Sequence, residues 1–199
     1  VKAQYHSYEV MNQHVSFLFT SLLTDDCIAR GKALLDGGVR YLGGTNETYG
    51  NINTSDSLWV IRDLVFNQKK YTLRQLNDAM LANFNGYEAL RKDCLNCDKY
   101  GNDLETADTM AYDLYEFVAK GVRDRGIAIG MQYFLIVISN NQLNTEWGNR
   151  TAASPDGRLS CMYMNPANNP QGGADKNGPT AMLNSLAKLN PKYHAGSVQ

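Results

Sequence analysis

The sequence predicts a helix-rich α/β domain with a few buried strands. Three observations predict it. Apolar residues recur at three- and four-residue steps through several segments, the signature of helices with one buried face. Phe134-Leu-Ile-Val-Ile138 forms a continuous apolar run too short for a helix and suited to a strand buried on both faces, as in a parallel sheet. Loops rich in Gly, Asn and Pro punctuate these elements, at 43–53 and at 154–180. No repeat, low-complexity tract or linker divides the 199 residues, so 1–199 reads as one domain without an internal boundary.

Tyr5 to Leu22 reads as a helix, with Tyr8, Met11, Leu18 and Leu22 on one face. Thr24 or Asp25 can cap a second helix that ends at Gly37-Gly38, a C-terminal signal. Gly43 to Asn53 reads as a loop. Ser55 or Asp56 then caps a helix through Phe66, with Leu58, Ile61, Leu64 and Val65 on its inner face. Thr72 and Gln75 form a capping box ahead of Leu76, Met80 and Phe84, and Gly86 ends that helix. A short helix spans Tyr87 to Asn96, and Tyr100-Gly-Asn-Asp103 is a turn. Glu105 to Lys120 is an amphipathic helix whose inner face carries Met110, Leu114, Phe117 and Val118. Its aromatic residues are assigned to packing, since no basic groove accompanies them. Tyr133 to Ser139 is the clearest strand. The polar residues Asn140 and Gln142 follow it, at the strand end where α/β proteins keep their sites, and are the candidate cavity-lining groups.

Composition excludes several functions. Hydrophobic content of 43% and charged content of 20% are those of an ordinary globular protein. A net charge of -1 gives no electrostatic case for nucleic acid or an anionic membrane. The most apolar stretch, 127–138, is too short to span a bilayer. The chain opens on Val1 without a charged-then-apolar leader, so no signal peptide is expected, and the three Asn-x-Ser/Thr sequons read as chance matches. Cys94 and Cys97 make one C-x-x-C without the second pair or the histidines a zinc site needs. Reduced thiols are the expectation there, and no metal site is expected anywhere in the chain.

The segment 154–189 carries most of the chemical information. It opens with the turn Pro155-Asp156-Gly157-Arg158 and closes with Gly173-Ala-Asp175-Lys176-Asn177-Gly178-Pro179-Thr180 leading into an apolar helix. Gly173 and Gly178 have P-loop spacing, but Pro179 stands where the phosphate-reaching lysine must be, which rejects nucleotide binding. Two readings of this loop remain. One is an anion site at the helix N-terminus. The other is a turn plus helix start, with Gly178 for backbone freedom and Pro179 in the first helical turn.

These words, with Leu183-Asn-Ser-Leu-Ala-Lys-Leu189, resemble the glycyl radical enzymes, the pyruvate formate-lyase and glycerol dehydratase relatives. Asp26 to Lys32, Gly37 to Tyr41, Asp56-Ser-Leu58 and Lys99-Tyr-Gly-Asn-Asp103 fall in the family's order, and the wording is closer to the dehydratase and decarboxylase branch. The family motif residues are Asp156, Gly157, Arg158, Asp175, Lys176, Asn177, Gly178, Pro179 and Thr180. The resemblance implies a partial segment of a ten-stranded α/β barrel from an anaerobic, cytoplasmic bacterial lyase, homodimeric at full length. It also implies a glycyl radical installed by an S-adenosylmethionine-dependent activating enzyme. The family needs a C-x-E motif for the thiyl radical and its neighbouring base, and R-V-x-G-Y for the stored radical. Neither occurs: position +2 is Ala29, Asn96, Lys99 or Tyr163 after the four cysteines. No catalytic residue and no bound cofactor is therefore expected in this chain. By resemblance it corresponds to the section between the cysteine loop and the glycyl loop, and its partner is the remainder of the enzyme. The Ser160 to Asn169 stretch departs from the glycerol dehydratase pattern, against glycerol as substrate. A stand-alone, non-catalytic binding or regulatory module of the same descent is the alternative.

Overall fold

The computed structural model describes residues 1–15, 17–138, 143–190, 192 and 194–197. The chain packs as two compact units. One is built mainly from Val1–Asn46 and Val118–Val137, the other mainly from Glu47–Phe117 and Ile138–Lys192.

The first unit begins with α1 (Lys2–His14) and α2 (Leu18–Leu22). The single helix expected over Tyr5 to Leu22 is thus broken, because Val15 is extended (φ -132) and Phe17 takes a left-handed φ of 42. The second expected helix is also shorter. α3 (Cys27–Arg30) stops at Gly31, whose φ of 61 is the left-handed termination glycine permits, and a separate wide turn at Leu34–Gly38 ends the region.

The Gly43–Asn53 segment is not the loop that its composition suggests. Gly43–Thr48 is a strand, β1, and β2 is Tyr133–Ile138. With β3 (His194–Ser197) they form one sheet in the order β1-β2-β3. The glycines explain how β1 forms. A Cβ on Gly43 would lie 2.4 Å from the Tyr133 ring, and one on Gly44 would lie 2.7 Å from the Phe134 ring. Backbone and ring can approach only because the side chains are missing. Gln132 locks the entry, its N–H donating to Leu42 O (2.9 Å) while its Oε1 accepts from Leu42 N–H (2.8 Å). Phe134 and Ile136 are buried but Tyr133 is exposed, so β2 buries one face at these positions rather than both.

The second unit holds the larger core. α4 (Asn51–Val60) continues into a wide-turn segment, Ile61–Asn67. α5 (Leu73–Leu81) starts at the expected capping box: Thr72 Oγ1 accepts from Gln75 N–H (3.2 Å) and Gln75 Oε1 from Thr72 N–H (2.9 Å). α6 is Glu88–Asn96. Val60, Leu64, Leu76, Ala79, Phe84, Leu90 and Cys94 form its core cluster. Each large aliphatic or aromatic member contributes roughly 1.5–3 kcal/mol by leaving water.

Two helix assignments need correction. α4 starts at Asn51, so Asp56 and Ser55 lie inside it, buried, and neither caps it. α7 runs Glu105–Ile127, longer than expected, and buries Ala107, Ala111, Tyr115 and Ala119 at four-residue steps, while Phe117 is 76% exposed. Three alanines and Tyr115 make the most buried stripe, with Met110, Leu114 and Val118 half-buried beside it. α8 (Leu143–Asn149) and α9 (Gly178–Lys188) complete the helices. Among the described residues, no helix is long and apolar enough to cross a membrane.

Candidate functional site

The motif words come together in the second unit, on the N-terminal part of α4, the end of α6, the turn after it and the long loop between α8 and α9. The turn at 155–158 is folded around its own side chains. Asp156 Oδ1 accepts from Ser154 Oγ–H (2.5 Å) and Arg158 N–H (3.2 Å), and Oδ2 accepts from Asn53 Nδ2 (2.7 Å). Both carboxylate oxygens of this buried group are thereby satisfied, as burial requires. Gly157 adopts φ +94, and a Cβ there would stand 2.7 Å from the Leu95 side chain, so this turn position requires glycine twice over.

Arg158 is buried and makes no direct ion pair with Asp156. Ser154 Oγ connects them, accepting from Arg158 Nε (3.2 Å). The guanidinium donates otherwise to backbone: Nη1 to Leu159 O (3.2 Å) and Met162 O (2.8 Å), Nη2 to Ala152 O. Burial pulls its pKa below the usual arginine value, with Asp156 opposing. Asp156 and Arg158 therefore hold loop shape.

Asn53 and Asn165 pair reciprocally. Asn53 N–H donates to Asn165 Oδ1 (3.2 Å), and Asn165 N–H donates to Asn53 Oδ1 (2.7 Å). Asn102 organises the second motif. Its Oδ1 accepts from Lys176 N–H (2.7 Å) and Asn177 N–H (3.1 Å), and its Nδ2 donates to Lys99 O (3.0 Å) and Ala174 O (2.8 Å). The Asp175–Asn177 backbone is thus pinned while the side chains of Asp175, Lys176, Asn177, Pro179 and Thr180 stay exposed. Gly178, at φ +82, and Pro179 open α9 as the turn-plus-helix-start reading expects. Asp103 ties α9 down: its N–H donates to Ser185 Oγ (2.9 Å), and Lys188 Nζ bonds Asp103 Oδ1 (2.8 Å) and Asp108 Oδ2 (2.7 Å).

Between the two motifs lies a cavity of about 220 Å³. Asp156, Gly157 and Arg158 line it together with Gly172–Ala174, Asp56, Arg91, Leu95, Lys99 and Lys176. Asp56 is 1% exposed; Oδ1 accepts from Tyr100 N–H (3.0 Å) and Oδ2 has no partner among the described residues. Desolvation pushes its pKa up to about 7, against the Tyr100 hydrogen bond and the Lys99 charge. Lys99, also buried, donates to Cys94 O (2.5 Å) and Cys97 O (3.3 Å). The two thiols are free, and burial pushes them up to about 12 and about 11, which makes them poor nucleophiles at neutral pH. Among the described residues, no group of three or more His, Cys, Asp or Glu side chains could hold a metal ion.

A family model described as pyruvate formate lyase-like matches residues 1–143. The chain belongs to this family of glycyl radical enzymes. It is 34% identical over 179 residues to the trans-4-hydroxy-L-proline dehydratase of Clostridioides difficile, covering 89% of this chain and 23% of that protein. It is 28% identical to the 4-hydroxyphenylacetate decarboxylase glycyl radical subunit of the same species, covering 92% of this chain and 24% of the relative. The crystal structure of the C. difficile hydroxyproline dehydratase with trans-4-hydroxy-L-proline bound superimposes with a TM-score of 0.92 at 30% identity, over 98% of this chain and 25% of that one. The chain spans about a quarter of the length of these relatives. The helix-rich α/β segment described above is consistent with part of the glycyl radical enzymes' α/β barrel.

Of the residues singled out from sequence, Asp156, Gly157 and Arg158 line the cavity, as does Lys176, while Asp175, Asn177, Pro179 and Thr180 do not. Asn140 and Gln142 lie outside the described residues. Sequence reasoning missed Asn53, Arg91 and Gln171, the last accepting from Asn53 Nδ2 (3.0 Å), and gave Asn102 no role beyond its turn. Their roles depend on partners 66 to 118 positions away, which no local pattern encodes.

Proposed function

We propose that this chain is one structural part, 1–199, of a glycyl radical lyase of the dehydratase or decarboxylase branch. The whole enzyme cleaves a C–O or C–C bond of a small polar substrate. The observation that carries this is the superposition over 98% of the chain on a quarter of a dehydratase. It is joined by the lack of any C-x-E or R-V-x-G-Y motif in the sequence. The catalytic cysteine and the radical glycine then belong to the remainder of the enzyme. When formed, the glycyl radical supplies the hydrogen-abstracting chemistry. Its installation by an S-adenosylmethionine-dependent activase, the homodimer and a cytoplasmic location follow from the same reading.

This chain's own residues shape the wall. β1 and β2 contribute sheet, and the hydrogen bonds of Asp156, Arg158 and Asn102 hold the long connections in place. Asn140 and Gln142, just beyond β2, are the proposed contacts to substrate. Asn140→Ala in the full enzyme is expected to raise KM or lower kcat; unchanged kinetics would remove the residue from the cavity. The isolated chain, incubated anaerobically with an activating enzyme and S-adenosylmethionine, is expected to turn over no diol, hydroxyproline or arylacetate. Turnover by the isolated chain would overturn the reading.

A further inference from the structure

The cavity between the two motifs contains more unspent hydrogen-bonding capacity than a merely structural junction requires. Asp156 and Arg158 are committed to the loop. Three cationic groups are not. Arg91 donates through Nε to Gly157 O (2.9 Å), and neither terminal nitrogen of its guanidinium has a hydrogen-bond partner among the described residues. Lys99 gives two of its three N–H bonds to carbonyls. Lys176 is anchored by its backbone to Asn102, and its exposed side chain stands at the cavity. Opposite in sign is Asp56 Oδ2, an acceptor buried without a partner among the described residues, which costs free energy unless a donor reaches it. Leu95 and Met162 complete an apolar side, and 220 Å³ is the liquid volume of about seven waters.

We propose that this cavity binds a small dianionic ligand that also bears a hydroxyl group. Arg91, Lys99 and Lys176 take the anionic oxygens, since charge-assisted bonds from a guanidinium and ammonium groups are the strong ones. The ligand's hydroxyl donates to Asp56 Oδ2. The ligand can be a phosphoryl compound or a hydroxy-dicarboxylate, because the recognised chemistry is the same.

The test is calorimetric titration of the full-length enzyme at pH 8, where Asp56 is ionised and its Oδ2 can accept, with inorganic phosphate and, separately, with malate. Saturable binding of one or both is expected, and which one binds identifies the phosphoryl or carboxylate source. Lys176→Ala, which removes an exposed side chain and no hydrogen bond of the fold, is expected to weaken binding at least tenfold with an unchanged melting temperature of the free protein. Arg91→Ala is expected to weaken binding likewise, and to lower the melting temperature because it also releases the Gly157 turn. Asp56→Asn keeps an acceptor for Tyr100 N–H and is expected to weaken binding too. Absence of saturable binding by either probe, or equal affinity in wild type and Lys176→Ala, would overturn the proposal.

Discussion

Asp56 is the residue at which burial and chemistry are most at odds. Its carboxyl group is raised from 3.8 to about 7 because desolvation outweighs the Tyr100 hydrogen bond and the Lys99 charge. The sign of its contribution follows. Between about pH 4 and pH 7 the folded protein holds a proton on Asp56 that the unfolded chain has released, so the fold loses stability as pH rises through that window, by up to roughly 4 kcal/mol. Above about 7 the slope vanishes. Glu88, Asp93 and Asp103 act in the opposite sense. A backbone N–H holds Glu88 below the carboxylate range, Lys70 holds Asp93 and Lys188 holds Asp103, so their contributions are lost only as pH falls through those lowered values. Asp56→Asn is therefore expected to flatten the pH 4–7 slope in urea melts of the full-length protein. An unchanged slope would assign it to another group. Arg158 makes a related point, since a charged motif residue can be devoted to backbone carbonyls. Its place in a turn was legible from Pro155-Asp-Gly-Arg158, but its carbonyl partners were not, because they depend on how 159–162 turns back.

At the scale of elements, the signals read correctly were local ones. The Thr72–Gln75 box and the apolar run of β2 each need only neighbours in sequence, whereas the helix expected to run to Gly86 stops at Leu81 and leaves Phe84 beyond it at a left-handed φ of 60. The misreadings were tertiary. Composition makes Gly43 to Asn53 a loop, yet Gly43 and Gly44 are the means by which β1 lies against the β2 aromatic rings. On α7, Phe117 was expected inside but is exposed, and the most buried positions include Ala107, Ala111 and Ala119, a sign of close approach that hydrophobicity alone does not predict. The glycines permit a discriminating prediction. Phe134 is 0% exposed and cannot retreat from a Cβ on Gly44, whereas Tyr133 is 41% exposed and can swing away from one on Gly43. Gly44→Ala is expected to destabilise by about 1–3 kcal/mol, as overpacking does, and Gly43→Ala by much less. Thermal melts of the two variants decide it; equal losses would contradict the packing described.

For the whole molecule, family membership was legible because several rare words recur in order, and the structure shows what those words do together. Lys99 to Asp103, Pro155 to Arg158 and Gly173 to Thr180 are separated in sequence but joined through Asn102, Asn53 and the shared cavity. The dehydratase and decarboxylase branch was legible in the motif wording, whereas no radical-bearing residue was, since neither C-x-E nor R-V-x-G-Y occurs in the sequence. The central claim, that this chain is a structural quarter of a radical lyase, is tested most directly by the intact mass of the native polypeptide carrying it. A polypeptide of about four times 22.2 kDa, containing both missing motifs, is the predicted result. A native mass of 22.2 kDa would contradict it and leave the radical chemistry to another protein.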